Sequence, residues 1–480
     1  MSMKIDIKKL KGIVGEDNIR DNIADLYVYS SDASVHSKPP DVVVRPGSIK
    51  EVQEIMRYAN KNKIPIVARG AGSGMSGQTV PLDGGIVLDM KWMDKIIKIS
   101  PKDVLCKVEP GVINDELNLV LKPYGFFFPP TPSSGRICTI GGMIGTNASG
   151  NRSVKYGATR DAVIGMKVVL ANGDLVTLGS NTKVDSSGYQ LAKLMVGSEG
   201  TLGIVVEATL QISPIPKYRA MGVANFKNLQ DAGKMISETI AAGITPSMLE
   251  LMDKVAITAV NNAQNLGLPD VEAIVIFESN GMTKESVEYE INQIKEICKI
   301  NNGIGVKVTH DEKEMTKIYT GRKKLFPSLS RYKEGLYTTA LADDMAVPMS
   351  KIADTVNKIH EIAKKNNVVM SAYGHCGAGL IHTKILMDTS KKSQWQGAKK
   401  AVNEVYDYVH SIGGTTSGEH GIGFSKGPSF KREKEDSLGM MHAIKHALDP
   451  NNILNPHKLM DSPDDWLNAT PLRYQIEKYN

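Results

Sequence analysis

The sequence predicts an α+β protein of two or three domains, and three observations support that fold class. The N-terminal part begins with a strand, a helix and a second strand that runs into a glycine-rich loop. Glycine becomes sparse near residues 212–216, after which helical and strand patterns alternate. A chain of 480 residues is also long enough to bury more than one hydrophobic core.

Composition gives little support for nucleic-acid or membrane partners. The 58 basic and 52 acidic residues are spread along the chain, and aromatic residues make up only 6%, so base-stacking surfaces are not expected. Residues 1–17 are charged throughout, unlike a signal peptide, and no window has the ~18 apolar residues of a membrane span. We expect a cytoplasmic location, with peripheral membrane attachment left open.

The four cysteines indicate a reducing compartment. They are far apart and form no C-x-x-C pair, so we expect free thiols. Without a cysteine cluster, the chain carries no iron–sulfur centre of its own. The positions are Cys106, Cys138, Cys298 and Cys376.

Local signals predict the elements in order. Ser48 and Glu51 form a capping box that starts a helix running to about Lys61. Strands are predicted at 42–44, 65–69, 85–90 and 104–109, a helix at 114–122, and a hairpin with strands 165–171 and 175–178. After residue 216 we expect helices at 228–242, 253–264, 283–300, 349–366 and 391–411, and strands at 218–225, 272–278, 303–309, 337–342 and 367–373.

The loop 70–77 carries the sharpest motif in the N-terminal part. Gly72, Gly74 and Gly77 match the G-x-G-x-x-G spacing, but a dinucleotide-binding fold needs a helix after that loop. Pro81 and the pair of glycines at 84–85 prevent such a helix, and the next element is a strand. We therefore reject a Rossmann half. The loop either binds a phosphate through its backbone N–H groups or is a glycine-rich hairpin without a ligand.

Eight motifs in order over nearly the whole chain resemble one family. The sequence resembles the FAD-binding domain of the vanillyl-alcohol-oxidase superfamily, and within it the group of D-lactate dehydrogenase, the glycolate oxidase flavin subunit and D-2-hydroxyglutarate dehydrogenase. The motifs are ARGAGSGMSG (68–77), PPTPSS (129–134), GGMIGTNASG (141–150), YG (156–157), GSEGTLGIV (197–205), YGHCGAGLIH (373–382), SGEHGIG (417–423) and DPNNILNP (449–456).

This resemblance implies a PCMH-type FAD-binding domain at 1–215, an α+β cap domain with an antiparallel sheet at 216–410, and a segment at 411–480 that returns to the FAD domain. Residues 65–80 contain neither His nor Cys, so the FAD is expected to be non-covalent. The cofactor-binding residues that the resemblance implies are Arg69, Gly70, Ala71, Gly72, Ser73, Gly74, Gln78, Pro130, Thr131, Ser134, Gly141, Gly142, Gly145, Asn147, Ala148, Gly150, Tyr156, Gly157, Val163, Glu199, Gly203, Ile204 and Asn455.

A metal site is implied by the C-terminal motifs. Two imidazoles and a carboxylate suit Zn²⁺, Mn²⁺ or Fe²⁺, although two histidines seven residues apart are by spacing alone more typical of ordinary core or surface residues. The resemblance implies His375, His382 and Glu419 as ligands. Ala378 and Leu380 depart from the family, which usually has Asp and Asn there.

The resemblance also implies the reaction. A D-2-hydroxy acid would lose its hydroxyl proton to His420 and its C2 hydride to flavin N5, with Arg322 binding the carboxylate. For Arg322 the alternative is a solvated basic run with its neighbouring lysines. Ala342 stands where diacid-oxidising relatives have a basic residue, which favours a monocarboxylate, D-lactate before glycolate, unless Lys333 substitutes.

Two other interpretations stay open at this point. One is a flavin oxidase of alcohols or sugar lactones, and the other is an FAD electron-relay subunit without a working substrate site. The electron acceptor could be a quinone, a cytochrome, an electron-transferring flavoprotein or an iron–sulfur protein. We expect a homodimer or a subunit of a complex. His457 is expected either near the flavin ring or in a turn.

Overall fold

The computed structural model describes residues 5–341 and 343–467, so Ala342 lies outside the described residues. Within them the chain forms two compact units. The first comprises the described parts of Met1–Ser149 and Glu419–Arg473 together with Ala158–Ile215. The second comprises Gly150–Gly157 and the described part of Pro216–Gly418. The chain therefore passes from the second unit back to the first between Gly418 and Glu419.

The first unit begins with a small sheet that holds the glycine-rich loop. Its strands, in the order β1-β2-β4-β3, are β1 (Ile19–Arg20), β2 (Val42–Val44), β3 (Ile66–Arg69) and β4 (Ile86–Asp89). β4 lies parallel to both β2 and β3. The helix Ile49–Asn62 between β2 and β3 packs its apolar face into the same core. The Ser48 side chain accepts a hydrogen bond from the Glu51 N–H, which confirms the predicted cap.

A second sheet completes the first unit. Its elements are β5 (Ile96–Ser100), β6 (Leu105–Val108), β7 (Phe126–Phe127), β8 (Val163–Val169), β9 (Leu175–Gly179), β10 (Ile204–Gln211) and β11 (Ser213–Pro214). Five of these strands form an antiparallel sheet in the order β5-β6-β10-β8-β9, and β7 pairs with β11. The pairing of β8 with β9 confirms the predicted hairpin.

The second unit is built on one large antiparallel sheet, as the resemblance implied. Its order is β15-β12-β14-β13-β18-β19-β16, and β17 also pairs with β19. The strands are β12 (Tyr218–Phe226), β13 (Met248–Asp253), β14 (Ala273–Gly281), β15 (Ile304–Thr309), β16 (Tyr337–Thr339), β17 (Met345–Ala346), β18 (Val369–Gly374) and β19 (Leu380–Met387).

Helices accompany the sheets in both units, which confirms the α+β class. Among the described residues, every helix is too short or too polar to span a bilayer. The other helices of the first unit are Ile7–Val14, Ile23–Val28, Asn114–Leu121, Ile140–Thr146, Thr159–Ala162, Leu191–Met195, Gly427–Glu433 and Leu438–Leu448. Those of the second are Ser153–Tyr156, Leu229–Ala241, Lys254–Gln264, Lys284–Ile300, Glu312–Lys323, Leu325–Ser328, Ile352–Lys365 and Lys392–Ser411.

Candidate active site

The glycine-rich loop joins two neighbouring parallel strands. Residues 70–85 connect β3 to β4 without a helix, which confirms the rejection of a Rossmann half. Because a hairpin joins antiparallel strands, the hairpin alternative was wrong. In the described chain, no atom accepts a hydrogen bond from the backbone N–H groups of the half-buried residues 71–74. These free donors fit an anionic group such as a phosphate.

Arg69 lies directly beneath this loop. Its Nη1 donates to Thr79 Oγ1 at 3.2 Å, and its guanidinium carbon lies 5.4 Å from the centre of the Tyr29 ring. Gly72 has a positive φ of 67°, and a Cβ there would lie 2.2 Å from Arg69 Nη2. The backbone therefore passes close over the guanidinium, and a side chain at position 72 would have to displace it.

Four segments predicted to bind the cofactor lie together within the first unit. A Cβ on Gly70 would lie 2.2 Å from Thr139 Oγ1, so the first loop touches the cap of the helix Ile140–Thr146. The Glu199 N–H donates to the Gly145 carbonyl at 2.9 Å. Asn455 Nδ2 donates to the carbonyl oxygens of Gln78 and Glu199 at 3.0 and 2.7 Å. Segments distant in sequence thus meet, and their contacts with FAD stay predictions.

Three of the predicted cofactor residues belong to the second unit. These are Gly150, Tyr156 and Gly157, and the Tyr156 hydroxyl donates there to Asn280 Oδ1 at 3.1 Å. In the first unit, Val163 and Ile204 are buried strand residues, so their side chains serve the core.

The loop 419–423 of the first unit carries Glu419, a predicted metal ligand, and His420, the predicted base. The Ser149 N–H donates to Glu419 Oε2 at 3.2 Å, and the Ser149 hydroxyl donates to the same oxygen. Gln78 Nε2 donates to the carbonyl oxygen of His420 at 2.6 Å. The His420 side chain is 23% exposed, with Nε2 3.8 Å from Glu419 Oε1. His420 is thus fixed at its backbone while its ring keeps access to solvent.

Glu199 contacts the same loop. Its carboxylate accepts hydrogen bonds from the N–H groups of Ile422 and Gly423, at 2.6 and 2.8 Å. Burial raises the pKa of Glu199 to about 7, even though the two N–H groups and nearby lysines favour the charged form. The carboxylate is therefore occupied by the loop, and its predicted contact with FAD stays a prediction.

The two predicted histidine ligands lie side by side in the second unit. His375 follows β18, and His382 lies on the neighbouring strand β19, opposite Tyr373. Their ring centres are 5.0 Å apart, and ring nitrogens of the two lie within 4.8 Å of each other. Both side chains are buried. One metal ion can reach both imidazoles at this separation.

Glu250, on β13, contacts two of the predicted site residues. Its Oε1 lies 2.5 Å from His375 Nδ1, and its Oε2 accepts from Arg322 Nε at 2.8 Å, with Nη2 at 2.7 Å. Burial would raise the pKa of Glu250, but the charges of His375 and Arg322 outweigh it and hold the pKa below its usual value. Arg322 is 8% exposed, so it is not part of a solvated basic run.

Asp344 lies close to His382 but beyond hydrogen-bond distance. Its Oδ1 lies 3.7 Å from His382 Nδ1. Its Oδ2 accepts hydrogen bonds from the Ser417 hydroxyl and the Gly418 N–H, at 2.7 and 2.8 Å. Leu380, which departs from the family pattern, packs here, since a Cβ on Gly418 would overlap its Cδ2. Asp344 thus joins a histidine to the residues that immediately precede Glu419.

Other singled-out residues lie apart from these groups. His457 Nε2 lies 2.9 Å from Asp83 Oδ2, with both side chains partly exposed. All four cysteines are buried free thiols, as predicted. Burial raises the pKa of Cys106 and Cys298 to about 12 and raises that of Cys376 further.

Sequence reasoning missed Glu250, Asp344 and Ser149 as supporting residues. Glu250 had one available signal, a carboxylate with apolar residues on both sides in the strand Met248–Asp253, where burial without a partner would be costly. Asp344 and Ser149 had none, because their partners are distant in sequence.

Two solved structures establish the fold. p-Cresol methylhydroxylase matches with a TM-score of 0.76 and 19% identity over 94% of this chain and 95% of its own. 4-Ethylphenol oxidase from Gulosibacter chungangensis matches with a TM-score of 0.75 and 18% identity over 95% of this chain and 97% of its own. The fold is of the vanillyl-alcohol-oxidase type, as the sequence predicted.

Two family matches define a flavin oxidoreductase. Residues 40–179 match the family described as FAD binding domain, and residues 215–459 match FAD linked oxidases, C-terminal domain. The chain belongs to this family of FAD-linked oxidoreductases, and FAD is its cofactor. The glycolate oxidase subunit GlcD of Bacillus subtilis (strain 168) is 37% identical over 95% of this chain and 96% of its own length. The mitochondrial D-lactate dehydrogenase (cytochrome) of Arabidopsis thaliana is 34% identical over 95% and 80%.

Proposed function

We propose that this protein oxidises a D-2-hydroxy acid, D-lactate before glycolate, to the 2-oxo acid and passes the electrons to an external acceptor. The relatives named for glycolate and D-lactate oxidation support the substrate class. The observation that carries the proposal is the contact of Glu250 with both His375 and Arg322. One buried acid thereby positions a proposed metal ligand and a proposed binder of the substrate carboxylate.

FAD, when bound, supplies the two-electron redox chemistry. The free N–H groups of residues 71–74 would contribute to binding its negatively charged pyrophosphate. The absence of His and Cys from 65–80 supports non-covalent attachment.

The residues present fit a divalent metal. His375 directs Nδ1 to the buried Glu250 carboxylate, which leaves Nε2 as its ligand atom, the usual arrangement of a histidine ligand and its supporting acid. His382 lies beside the buried Asp344 and supplies the second imidazole. We propose Glu419 as the third ligand, because it directly follows Gly418, whose N–H is bound to Asp344. Zn²⁺, Mn²⁺ or Fe²⁺ suits this set, and such an ion lowers the pKa of a bound hydroxyl group.

The chain's own residues have two further roles in this proposal. His420 accepts the proton of the substrate hydroxyl, since its ring is accessible and unperturbed imidazoles titrate near neutral pH. Arg322 binds the substrate carboxylate through its Nη groups, because Glu250 accepts the hydrogen bond of Nε. The choice of a monocarboxylate depends on Ala342, which lacks a positive charge. Lys333, the alternative source of that charge, is exposed.

The test is anaerobic mixing of the FAD-loaded protein with a panel of 2-hydroxy acids while the flavin absorbance is followed. We expect bleaching by D-lactate, weaker bleaching by glycolate, and loss of both with a chelator until Zn²⁺ or Mn²⁺ is restored. Metal-independent bleaching by alcohols or sugar lactones would support a flavin oxidase instead. Absence of bleaching by every compound would support an electron-relay subunit.

The acceptor class needs its own assay. A quinone, a cytochrome, an electron-transferring flavoprotein and an iron–sulfur protein are the candidates, offered in turn to the substrate-reduced enzyme. The name of the Bacillus relative describes a subunit, which supports a complex, and a homodimer is the alternative. Mass measurement in solution separates these assemblies.

A further inference from the structure

Residues of the glycine loop and of the 197–205 segment hold the loop 419–423 in the first unit. Gln78 Nε2 donates to the His420 carbonyl oxygen. The Glu199 carboxylate accepts hydrogen bonds from the N–H groups of Ile422 and Gly423. The Phe424 N–H then donates to the Ser76 carbonyl at 3.1 Å. The backbone is therefore held at His420 itself and at the three residues from 422 to 424.

Glu199 makes the most demanding of these contacts. Each of its two oxygens accepts one N–H, so the carboxyl group bridges two consecutive residues of the loop. A Cβ on Gly421 would lie 2.5 Å from Glu199 Oε1, so the carboxylate lies directly against the loop backbone. Glu199 also has a positive φ of 53°, unusual for a glutamate, which indicates that its placement is tightly determined.

We propose that Glu199 is a positioning residue that fixes His420 for proton transfer, with Gln78 as its companion. This inference rests on the proposed function, because it takes His420 as the base. Asn455 Nδ2 bonds the carbonyl oxygens of both Gln78 and Glu199, so the two residues move together. Gln78 directly follows the glycine loop, and order at the phosphate-binding loop is thereby linked to order around His420.

The test is Glu199→Gln in the full-length, FAD-loaded protein. The glutamine keeps one oxygen that can accept a hydrogen bond from one loop N–H. Its NH₂ group faces the other N–H and cannot accept from it, so one of the two hydrogen bonds to the loop is lost. We expect hydrogen–deuterium exchange of a peptide covering 421–424 to become about 10- to 100-fold faster. Measured per molecule of bound FAD, kcat should fall by a similar factor with little change in KM. Glu199→Asp should restore part of the protection.

Glu207→Gln is the matched control. Glu207 is a buried carboxylate of the same unit that pairs with Lys167 on the neighbouring strand and does not contact the loop. The Glu207→Gln variant should leave both the hydrogen–deuterium exchange of residues 421–424 and kcat unchanged. Equal exchange in Glu199→Gln and Glu207→Gln would overturn the proposal.

A second variant guards against a folding failure of Glu199→Gln. Gln78→Met keeps the side-chain length but removes the donor to the His420 carbonyl, and it should also speed exchange and lower kcat. Unchanged exchange and kcat in this variant would again count against the proposal. The exchange measurement does not depend on the substrate. If wild-type flavin is bleached by no 2-hydroxy acid, the proposed function fails while the exchange result still decides whether Glu199 holds the loop.

Discussion

Glu250 lies 2.5 Å from Nδ1 of His375, and its other oxygen binds Arg322. Because the carboxylate is ionised, Nδ1 carries the proton and donates it, which leaves the Nε2 lone pair for a ligand. Two proposed roles, metal binding and carboxylate binding, therefore depend on one buried acid.

Replacing Glu250 by glutamine should weaken both roles. The amide cannot fix the histidine tautomer or neutralise the arginine, and loss of such supporting partners costs about 10- to 100-fold in metal affinity or activity. We expect metal content after dialysis to fall, together with kcat/KM for D-lactate. Metal analysis and steady-state kinetics measure the two effects.

Glu278→Gln provides the comparison for Glu250. Glu278 is likewise buried in the large sheet and paired with an arginine, Arg219, but it does not contact the histidines. Its replacement should reduce stability and leave metal content intact. Equal metal content in the two variants would show that Glu250 does not support the metal site.

His420→Ala should retain FAD but lose flavin bleaching by substrate. Removing a general base slows the proton transfer by about 10²- to 10⁴-fold, whereas the backbone contacts of position 420 remain. Stopped-flow absorbance under anaerobic conditions gives the rate. His457→Ala serves as control, because the His457 side chain pairs with Asp83 rather than with a residue of the loop 419–423. Bleaching at a near-normal rate in His420→Ala would exclude His420 as the base.

Gly72→Ala should weaken FAD binding. A Cβ would meet Arg69 Nη2 at 2.2 Å, and the positive φ of 67° adds backbone strain. A cost of about 1–3 kcal/mol for such strain corresponds to a loss of about tenfold or more in affinity. Gly125→Ala has a similar φ of 78° with no atom within 4 Å, and should retain FAD. Fluorescence titration of apoprotein with FAD compares the two; equal affinities would contradict a tight loop at Gly72.

His360 should make stability pH-dependent. Burial lowers the pKa of His360, but the hydrogen bond and charge of Asp253 outweigh it and raise the pKa above its usual value. Because the folded protein binds the His360 proton more tightly, this residue contributes its full stabilisation below about pH 6.5, the usual histidine pKa. The contribution is lost as the pH rises through the raised pKa of the folded state. From pH 6 to pH 9, the free energy of unfolding measured in urea should fall more for the wild type than for His360→Gln. A pH-independent difference would mean that folding does not raise the pKa of His360.

Much of the fold could be predicted because its signals are local. The cap at Ser48, the hairpin of β8 and β9, and the five helices predicted between residues 228 and 411 each follow from neighbouring residues, and all are confirmed. The helices Glu312–Lys323 and Leu325–Ser328 were not predicted. β13 and β19 were not predicted. Both are buried on both faces, so they lack the polar alternation that marks a half-exposed strand.

The site was harder to predict because its supporting contacts span the chain. Gln78 and His420 are 342 residues apart, and Glu250 and His375 are 125 apart. No local pattern encodes such pairs. The motifs located His375, His382, Glu419 and His420, but only the fold places Glu250 beside a histidine and Glu199 beside a loop.

The buried thiols give the protein an internal reporter of unfolding. Cys106 and Cys138 belong to the first unit, and Cys298 and Cys376 belong to the second. A thiol that is sheltered and protonated reacts very slowly with alkylating reagents, so native protein should resist labelling at all four positions. Pulse alkylation during denaturation, read by peptide mass spectrometry, would then show which unit opens first.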